Sequence, residues 1–270
     1  MKISVFYEHI VEASSQTGKS ISEICKMVSL WGIMGIEIEN IRLMENKDQI
    51  MKTFYQSGLE ISCIYGFFDF AHETDIKKGF EMIDLACEVN AKKVMLIPGF
   101  LKPYEKIFFI RKRVVSSLVN ALSRICSYAK DRDITVVLED FDGESAPFAT
   151  ASGLKYFIDN VPDLYCAFDT GNFLFSEEDS LEVLPLFLNR IKHVHCKDRS
   201  FEKKSGEIPK KTIKGRDMYS CAVGKGCIKM KEIIEILIQN GYDDYFAVEH
   251  FGSLNQLRDM EESAKWLNEF

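Results

Sequence analysis

Eight short β-rich runs recur along the chain, separated by longer segments of helical periodicity, and this alternation constrains the fold more than any other feature. The runs occupy residues 3–7, 33–38, 61–65, 94–98, 135–139, 166–169, 191–196 and 245–249. Their lengths are those of ordinary strands. Helices are predicted over residues 20–30, 75–89, 104–130, 152–160, 181–188, 229–240 and 254–270. The first opens on Ser20 and Ser22 ahead of Glu23, a helix-start pattern, and Asn240-Gly241 is a stop signal. In the longest, Val114, Leu118, Ala121, Leu122 and Ile125 share one apolar stripe. Strands alternating with helices imply right-handed βαβ units and a parallel sheet. Eight such units fit a closed (β/α)8 barrel, an α/β fold with outer helices. An open doubly wound sheet is the alternative, and it usually carries a glycine-rich turn after its first strand. Here the first run leads into Tyr7-Glu8-His9-Ile10, and Gly224-Lys225-Gly226 comes late and lacks a third glycine.

No break in composition marks a second domain, so residues 1–270 are expected to form one barrel. With 46% hydrophobic and 28% charged residues, disorder and low-complexity architecture are excluded. Lys and Arg number 34 against 41 Asp and Glu, a net charge of −7, which gives no general attraction to nucleic acid or to anionic membranes. No apolar run approaches membrane-spanning length, and the N-terminus is too short in apolar residues for a secretory signal. The eight cysteines include no Cys-x-x-Cys pair and read as reduced thiols of a cytoplasmic protein.

Barrel enzymes build their sites at the C-terminal ends of the strands. The fifth run ends Leu138-Glu139-Asp140, the sixth Phe168-Asp169-Thr170-Gly171-Asn172, the seventh His193-Val194-His195-Cys196-Lys197-Asp198, and the eighth Val248-Glu249-His250. Any one of these acids alone reads as a helix cap or a lysine partner. Together, on four consecutive strands, Glu139, Asp169, His195 and Glu249 can converge on one cation. Three carboxylates and one imidazole suit Mn²⁺, Mg²⁺, Co²⁺ or Zn²⁺, and three like charges facing one cavity would repel without a counter-ion. All five histidines (His9, His72, His193, His195 and His250) fall at or just beyond the ends of the runs.

With these residues the chain resembles the xylose-isomerase-like TIM barrels, specifically the sugar phosphate isomerase/epimerase group of ketose 3-epimerases, hydroxypyruvate isomerases and inosose-processing enzymes. The likeness rests on the four strand ends above, and on Val223-Gly224-Lys225-Gly226-Cys227-Ile228 followed by a helix ending at Gly241-Tyr242-Asp243-Asp244. It covers essentially the whole chain. It implies one catalytic divalent ion held by Glu139, Asp169, His195 and Glu249, with Glu139 and Glu249 also moving protons. The implied activity is isomerisation or epimerisation of a small sugar, sugar phosphate or related polyhydroxy carbonyl compound, by proton abstraction α to the carbonyl through an enediolate. Ketose epimerases usually place a substrate-binding His where this chain has Asn172, and an Arg beyond the metal His, for which Lys197 and Arg199 are candidates. Asn172, His193, Lys197 and Arg199 are therefore the expected substrate contacts, although His193 also reads as a histidine packed behind the ligands. Many related barrels are dimers or tetramers, so a homo-oligomer is a further expectation.

Three other readings stay open. A metal-dependent dehydratase of the same fold shares the proton abstraction. An endonuclease-IV-like DNA repair enzyme would use a multi-zinc cluster with many more histidines. A non-catalytic sugar-binding protein would not need the full ligand set. Outside that set, Glu8 and His9 are placed to touch substrate from the far wall, and His250 points to the other strand face. Tyr65-Gly66-Phe67-Phe68 reads as rim packing rather than a sugar platform, and Trp31 and Trp266 as barrel-to-helix packing. The longest loop candidate, residues 197–226, contains a stretch from 202 to 217 with a net charge of +3. That stretch reads either as a solvated charge run or as a cover that favours an anionic substrate.

Overall fold

The β-branched and aromatic runs pair in parallel to form β1 (Lys2–Phe6), β2 (Ile33–Glu39), β3 (Glu60–Phe67), β4 (Lys93–Ile97), β5 (Thr135–Glu139), β6 (Leu164–Asp169) and β7 (Ile191–Cys196). After three short strands, β8 (Asp198–Ser200), β9 (Lys210–Lys211) and β10 (Asp217–Cys221), the last barrel strand is β11 (Tyr245–Val248). In this computed structural model, which describes residues 1–73 and 76–270, β1 to β7 and β11 close into an eight-stranded barrel, with β1 bonded to both β2 and β11. The helices around it are α1 (Tyr7–Thr17), α2 (Ile21–Leu30), α3 (Asn40–Glu45), α4 (Lys47–Ser57), α5 (Lys77–Glu88), α6 (Phe108–Lys130), α7 (Ala151–Asn160), α8 (Ser180–Val183), α9 (Met230–Gln239) and α10 (Gln256–Leu267). The structure is thus the closed α/β barrel that the alternation predicts.

Local signals account for several boundaries. Ser20 accepts from the Glu23 N–H while the Glu23 carboxylate accepts from the Ser20 N–H, a capping box that starts α2. Gly241 follows α9 at φ +83°, a left-handed position where an L side chain would be strained. Other elements differ from expectation. Tyr7 opens α1 instead of closing the first strand, and α1, α3 and α4 are additional helices. The 181–188 segment is broken: α8 stops at Val183 and two 3-10 turns follow, because Pro185 lacks an N–H for a continuing helix. The predicted start of the 75–89 helix at Asp75 lies outside the described residues. The 197–226 segment is not a plain loop, since β8, β10 and β9 form a small antiparallel sheet within it.

Register levels the strand ends that matter. Asp169 of β6 lies opposite His195 of β7, and Ala247 of β11 lies opposite His195 on the other side. Beneath them Phe168, Phe173 and Phe187 are fully buried and in mutual ring contact, an apolar packing that fixes the β6 side of the rim. No helix among the described residues is long and apolar enough to cross a membrane. None of the eight cysteines is paired, and six are buried.

Candidate functional site

The turn after β6 shows why Asp169-Thr170-Gly171-Asn172 has its spacing. One Asp169 oxygen accepts the N–H groups of Gly171 (2.7 Å) and Asn172 (2.9 Å), leaving the other to face Lys197 and His195. The Thr170 hydroxyl bonds the carbonyls of His195 and Lys197 and accepts the Lys197 N–H, which ties the end of β6 to that of β7. A side chain at Gly171 would collide with the Lys197 carbonyl. Asp198 plays a matching role beyond β7. Its carboxylate accepts the N–H groups of Gly224, Gly226 and Ile228, so the Gly224-Lys225-Gly226 turn wraps an acid.

These turns bring Glu139, Asp169, His195 and Glu249 together. One ligand atom from each lies within 4.8 Å of those of the other three. His195 presents Nδ1 to all three acids, at 3.0 Å from Glu139, 3.3 Å from Glu249 and 3.8 Å from Asp169. Burial pushes the Glu249 carboxyl up to about 8 and also raises Glu139. Burial opposes ionisation of Asp169 too, but Lys197 and His195 outweigh it and hold the group at about 2. His195 is raised: burial works against its charge, and Glu37, Asp169 and Glu139 overcome that. A pocket that draws a positive charge onto its only nitrogen donor has the electrostatics of a cation site. Three hard oxygen donors plus one imidazole, all buried, therefore fit a divalent ion.

Lys197 stands beside this set. Its ammonium contacts Glu249, lies 3.4 Å from Asp169 and donates to the Asn172 side-chain oxygen at 2.7 Å. Arg199 donates to Asp142 at 3.0 Å, and Lys210 of β9 reaches the other Asp142 oxygen.

Glu37, on β2, is a participant that the sequence reading missed. It is fully buried and bridges both strand-7 histidines, to His193 Nε2 at 2.7 Å and His195 Nε2 at 3.2 Å. Lys93 lies 3.2 Å from His193 Nδ1 and donates to Asp244 at 2.7 Å. Burial and Lys93 lower His193 to about 4, so it is a neutral ring able to accept from the ammonium. Glu37, Cys63 and His193 also form a trio of possible ligands. The ammonium beside His193 and the two imidazoles on Glu37 make it a hydrogen-bonded ion network instead.

Above the four residues lies a cavity of about 360 Å³. Glu139, Glu249, Asn172, Lys197 and Arg199 line one side, and Phe6, Tyr65, Phe67 and Met95 the other. Asp169 and His195 are buried below this lining. His193, expected as a substrate contact or a packed histidine, sits deeper still and takes the packed place. Glu8 and His9 open α1 and do not line the cavity, correcting the expectation that they touch substrate from the far wall. His9 stacks on His250 at 4.5 Å, and His72 is held between Asp69 and Glu105. Tyr65 and Phe67 form rim wall, while Trp31 and Trp266 pack on the core from outside. Of the cations in 202–217, Lys210 lines the cavity, whereas Lys211 pairs with Asp217 and Arg216 with Glu177.

The family described as the xylose isomerase-like TIM barrel matches residues 25–270. The chain belongs to this family. An inosose dehydratase from Clostridium perfringens (strain 13 / Type A) is 32% identical over 144 residues, which are 49% of this chain and 46% of that protein. The chain thus spans about half the length of the curated relatives it matches. Two solved structures superpose along its whole length. An IOLI protein with a bound zinc atom has a TM-score of 0.75 at 16% identity, covering 100% of this chain and 97% of the other. A D-tagatose 3-epimerase-like protein has a TM-score of 0.74 at 20% identity, covering 100% and 96%. At these identities the likenesses show the fold.

Proposed function

We propose that this protein binds one divalent cation through Glu139, Asp169, His195 and Glu249 and moves a proton at the carbon α to the carbonyl of a small polyhydroxy compound. The observation that carries the reading is the convergence of four ligand atoms within 4.8 Å of one another, at the foot of a cavity that two of the same glutamates line. A bound Mn²⁺, Mg²⁺, Co²⁺ or Zn²⁺ would act there as a Lewis acid on the substrate carbonyl. Glu139 ends β5 and Glu249 directly follows β11, so two carboxylates from separate strands reach the same cavity. One takes the α proton, and the other returns it to the opposite face, giving epimerisation. Return by the same carboxylate to the neighbouring carbon gives isomerisation. Lys197 and Asn172 orient substrate hydroxyls, and the aromatic side of the cavity excludes water from the reacting carbon. The cavity volume is at the small end of ligand pockets and suits a single sugar-sized molecule.

The inosose dehydratase relative favours a second outcome of the same first step. After α-proton removal the β C–O bond breaks, a C=C bond forms, and the departing hydroxide takes a proton to leave as water. Lys197, which lines the cavity, is the residue placed to give that proton. The test is incubation with keto-sugars, sugar phosphates and inososes in deuterated water. Deuterium at the α carbon of recovered substrate or product supports the reading, and an enone product selects dehydration. Turnover without any α-carbon exchange or bond change would remove it.

A further inference from the structure

A line of polar groups, buried except at the part-exposed Asp244 where it begins, runs through the barrel interior, where apolar layers usually pack. It starts at Asp244, just before β11, and at Lys93, the first residue of β4, both at the N-terminal end of the barrel. The Lys93 ammonium donates to Asp244 at 2.7 Å and lies 3.2 Å from His193 Nδ1. An ammonium has no lone pair to offer, so His193 Nδ1 must accept and its proton must sit on Nε2. That N–H points at Glu37 at 2.7 Å. The second Glu37 oxygen lies 3.2 Å from His195 Nε2. A carboxylate only accepts, so Nε2 of His195 carries hydrogen as well. Each contact from Lys93 to His195 then pairs a donor with an acceptor, and Nδ1 is the His195 nitrogen left for the three acids.

We infer that Glu37 is a positioning residue that fixes His195 as an Nδ1 ligand, and that His193 and Lys93 hold Glu37 in the orientation that does so. The inference rests on the metal reading above and assigns Glu37 no contact with substrate. A buried carboxylate behind a ligating imidazole fixes the ring and makes it a stronger donor, with losses of about 10–100-fold in affinity when it is removed. Here one carboxylate serves two imidazoles at once, which an amide cannot do: in Glu37→Gln one of the two Nε2–H groups would face the amide N–H₂.

The experiment is Zn²⁺ titration by calorimetry, with ¹⁵N spectra of histidine-labelled, Zn²⁺-loaded protein. The parent should show His195 ligated through Nδ1 with a hydrogen-bonded Nε2–H. Glu37→Gln should lose about 10–100-fold in Zn²⁺ affinity and shift or lose that Nε2–H signal. Glu37→Asp keeps the charge but not the reach to both rings, and should also weaken binding. Lys93→Met, distant from the ligands, should give a smaller loss and carries the test if the Glu37 variants do not fold. Folded Glu37 variants with parental affinity and an unchanged Nε2–H signal would overturn the assignment, as would an unaltered Lys93→Met if it stands alone. A parent that binds no divalent cation would instead overturn the metal reading itself.

Discussion

The two halves of the barrel rim are built from the same kind of strand and end in opposite chemistry. From β5 through β7 to β11 the strands finish on Glu139, Asp169, His195 and Glu249, with Lys197 and Arg199 just beyond. From β1 to β4 the cavity wall is Phe6, Tyr65, Phe67 and Met95. On the proposed function the contrast separates two tasks: one half would carry the charges that bind and react, and the other would supply an apolar surface that shapes the cavity. The separation is not complete at the rim, where Phe141 and Phe251 follow Glu139 and Glu249 onto the cavity wall, and it breaks down further below it. There Glu37 and Lys93, from β2 and β4, cross into the charged half and fill the hydrogen-bonding needs of its histidines.

The comparison predicts unequal consequences of substitution. The largest effect belongs to the charged half: Glu139→Gln or Glu249→Gln should retain metal and lose about 10³-fold or more in turnover. By contrast, Phe67→Ala on the opposite wall should leave kcat within a few-fold and raise KM. Steady-state kinetics on the same substrate decides, and comparable kcat losses would erase the distinction. Next comes His195→Ala, which removes the only nitrogen ligand and should lower cation affinity by at least about 100-fold, beyond the loss given by a supporting residue. Calorimetric titration reads this, and full occupancy in that variant would take His195 off the ligand set.

Smaller is Lys210→Ala. Since Lys210 shares Asp142 with Arg199 at the cavity edge, its loss should raise KM a few-fold for substrates bearing a phosphate or carboxylate and leave neutral sugars unchanged. Equal shifts for both classes would remove the case for an anionic substrate.

A separate effect, on stability and not on turnover, lies behind the apolar half. Burial raises the Glu8 carboxyl from 4.5 to about 7, against the smaller opposing effect of the Tyr65 hydroxyl. A carboxyl that holds its proton more tightly folded than unfolded costs stability as pH rises through that window, and the cost levels off above it. Glu8→Gln should therefore be more stable than the parent by about 3 kcal/mol at pH 8 and equal to it at pH 4. Urea unfolding at the two values checks this, and an identical difference at both would contradict it.

The charged half was legible in the sequence because three of its four strands are apolar runs that stop abruptly at an acid, and the fourth carries the His193-Val194-His195 pair at its end. That pattern places a polar group at a strand end with no need of tertiary information. The helices of the other half were harder to read. α1 buries Tyr7, His9, Ile10 and Ala13 among serines and acids, and α3 buries Leu43 alone, so neither shows a clear apolar stripe. Glu37 was hidden by parity. Ile36-Glu37-Ile38-Glu39 alternates like a half-exposed strand, and only closure of the barrel turns Glu37 inward to meet two histidines from a distant run. The small sheet of β8, β9 and β10 escaped because its strands are short and lie among Lys, Gly and Ser, and pairing rather than propensity makes them strands.

The most direct test of the central claim is anomalous diffraction from crystals soaked in Mn²⁺ or Zn²⁺. One ion per chain is expected, ligated by a carboxylate oxygen from each of Glu139, Asp169 and Glu249 and by Nδ1 of His195. An ion bound elsewhere with these four side chains unengaged, or no ion at saturating metal, would contradict it.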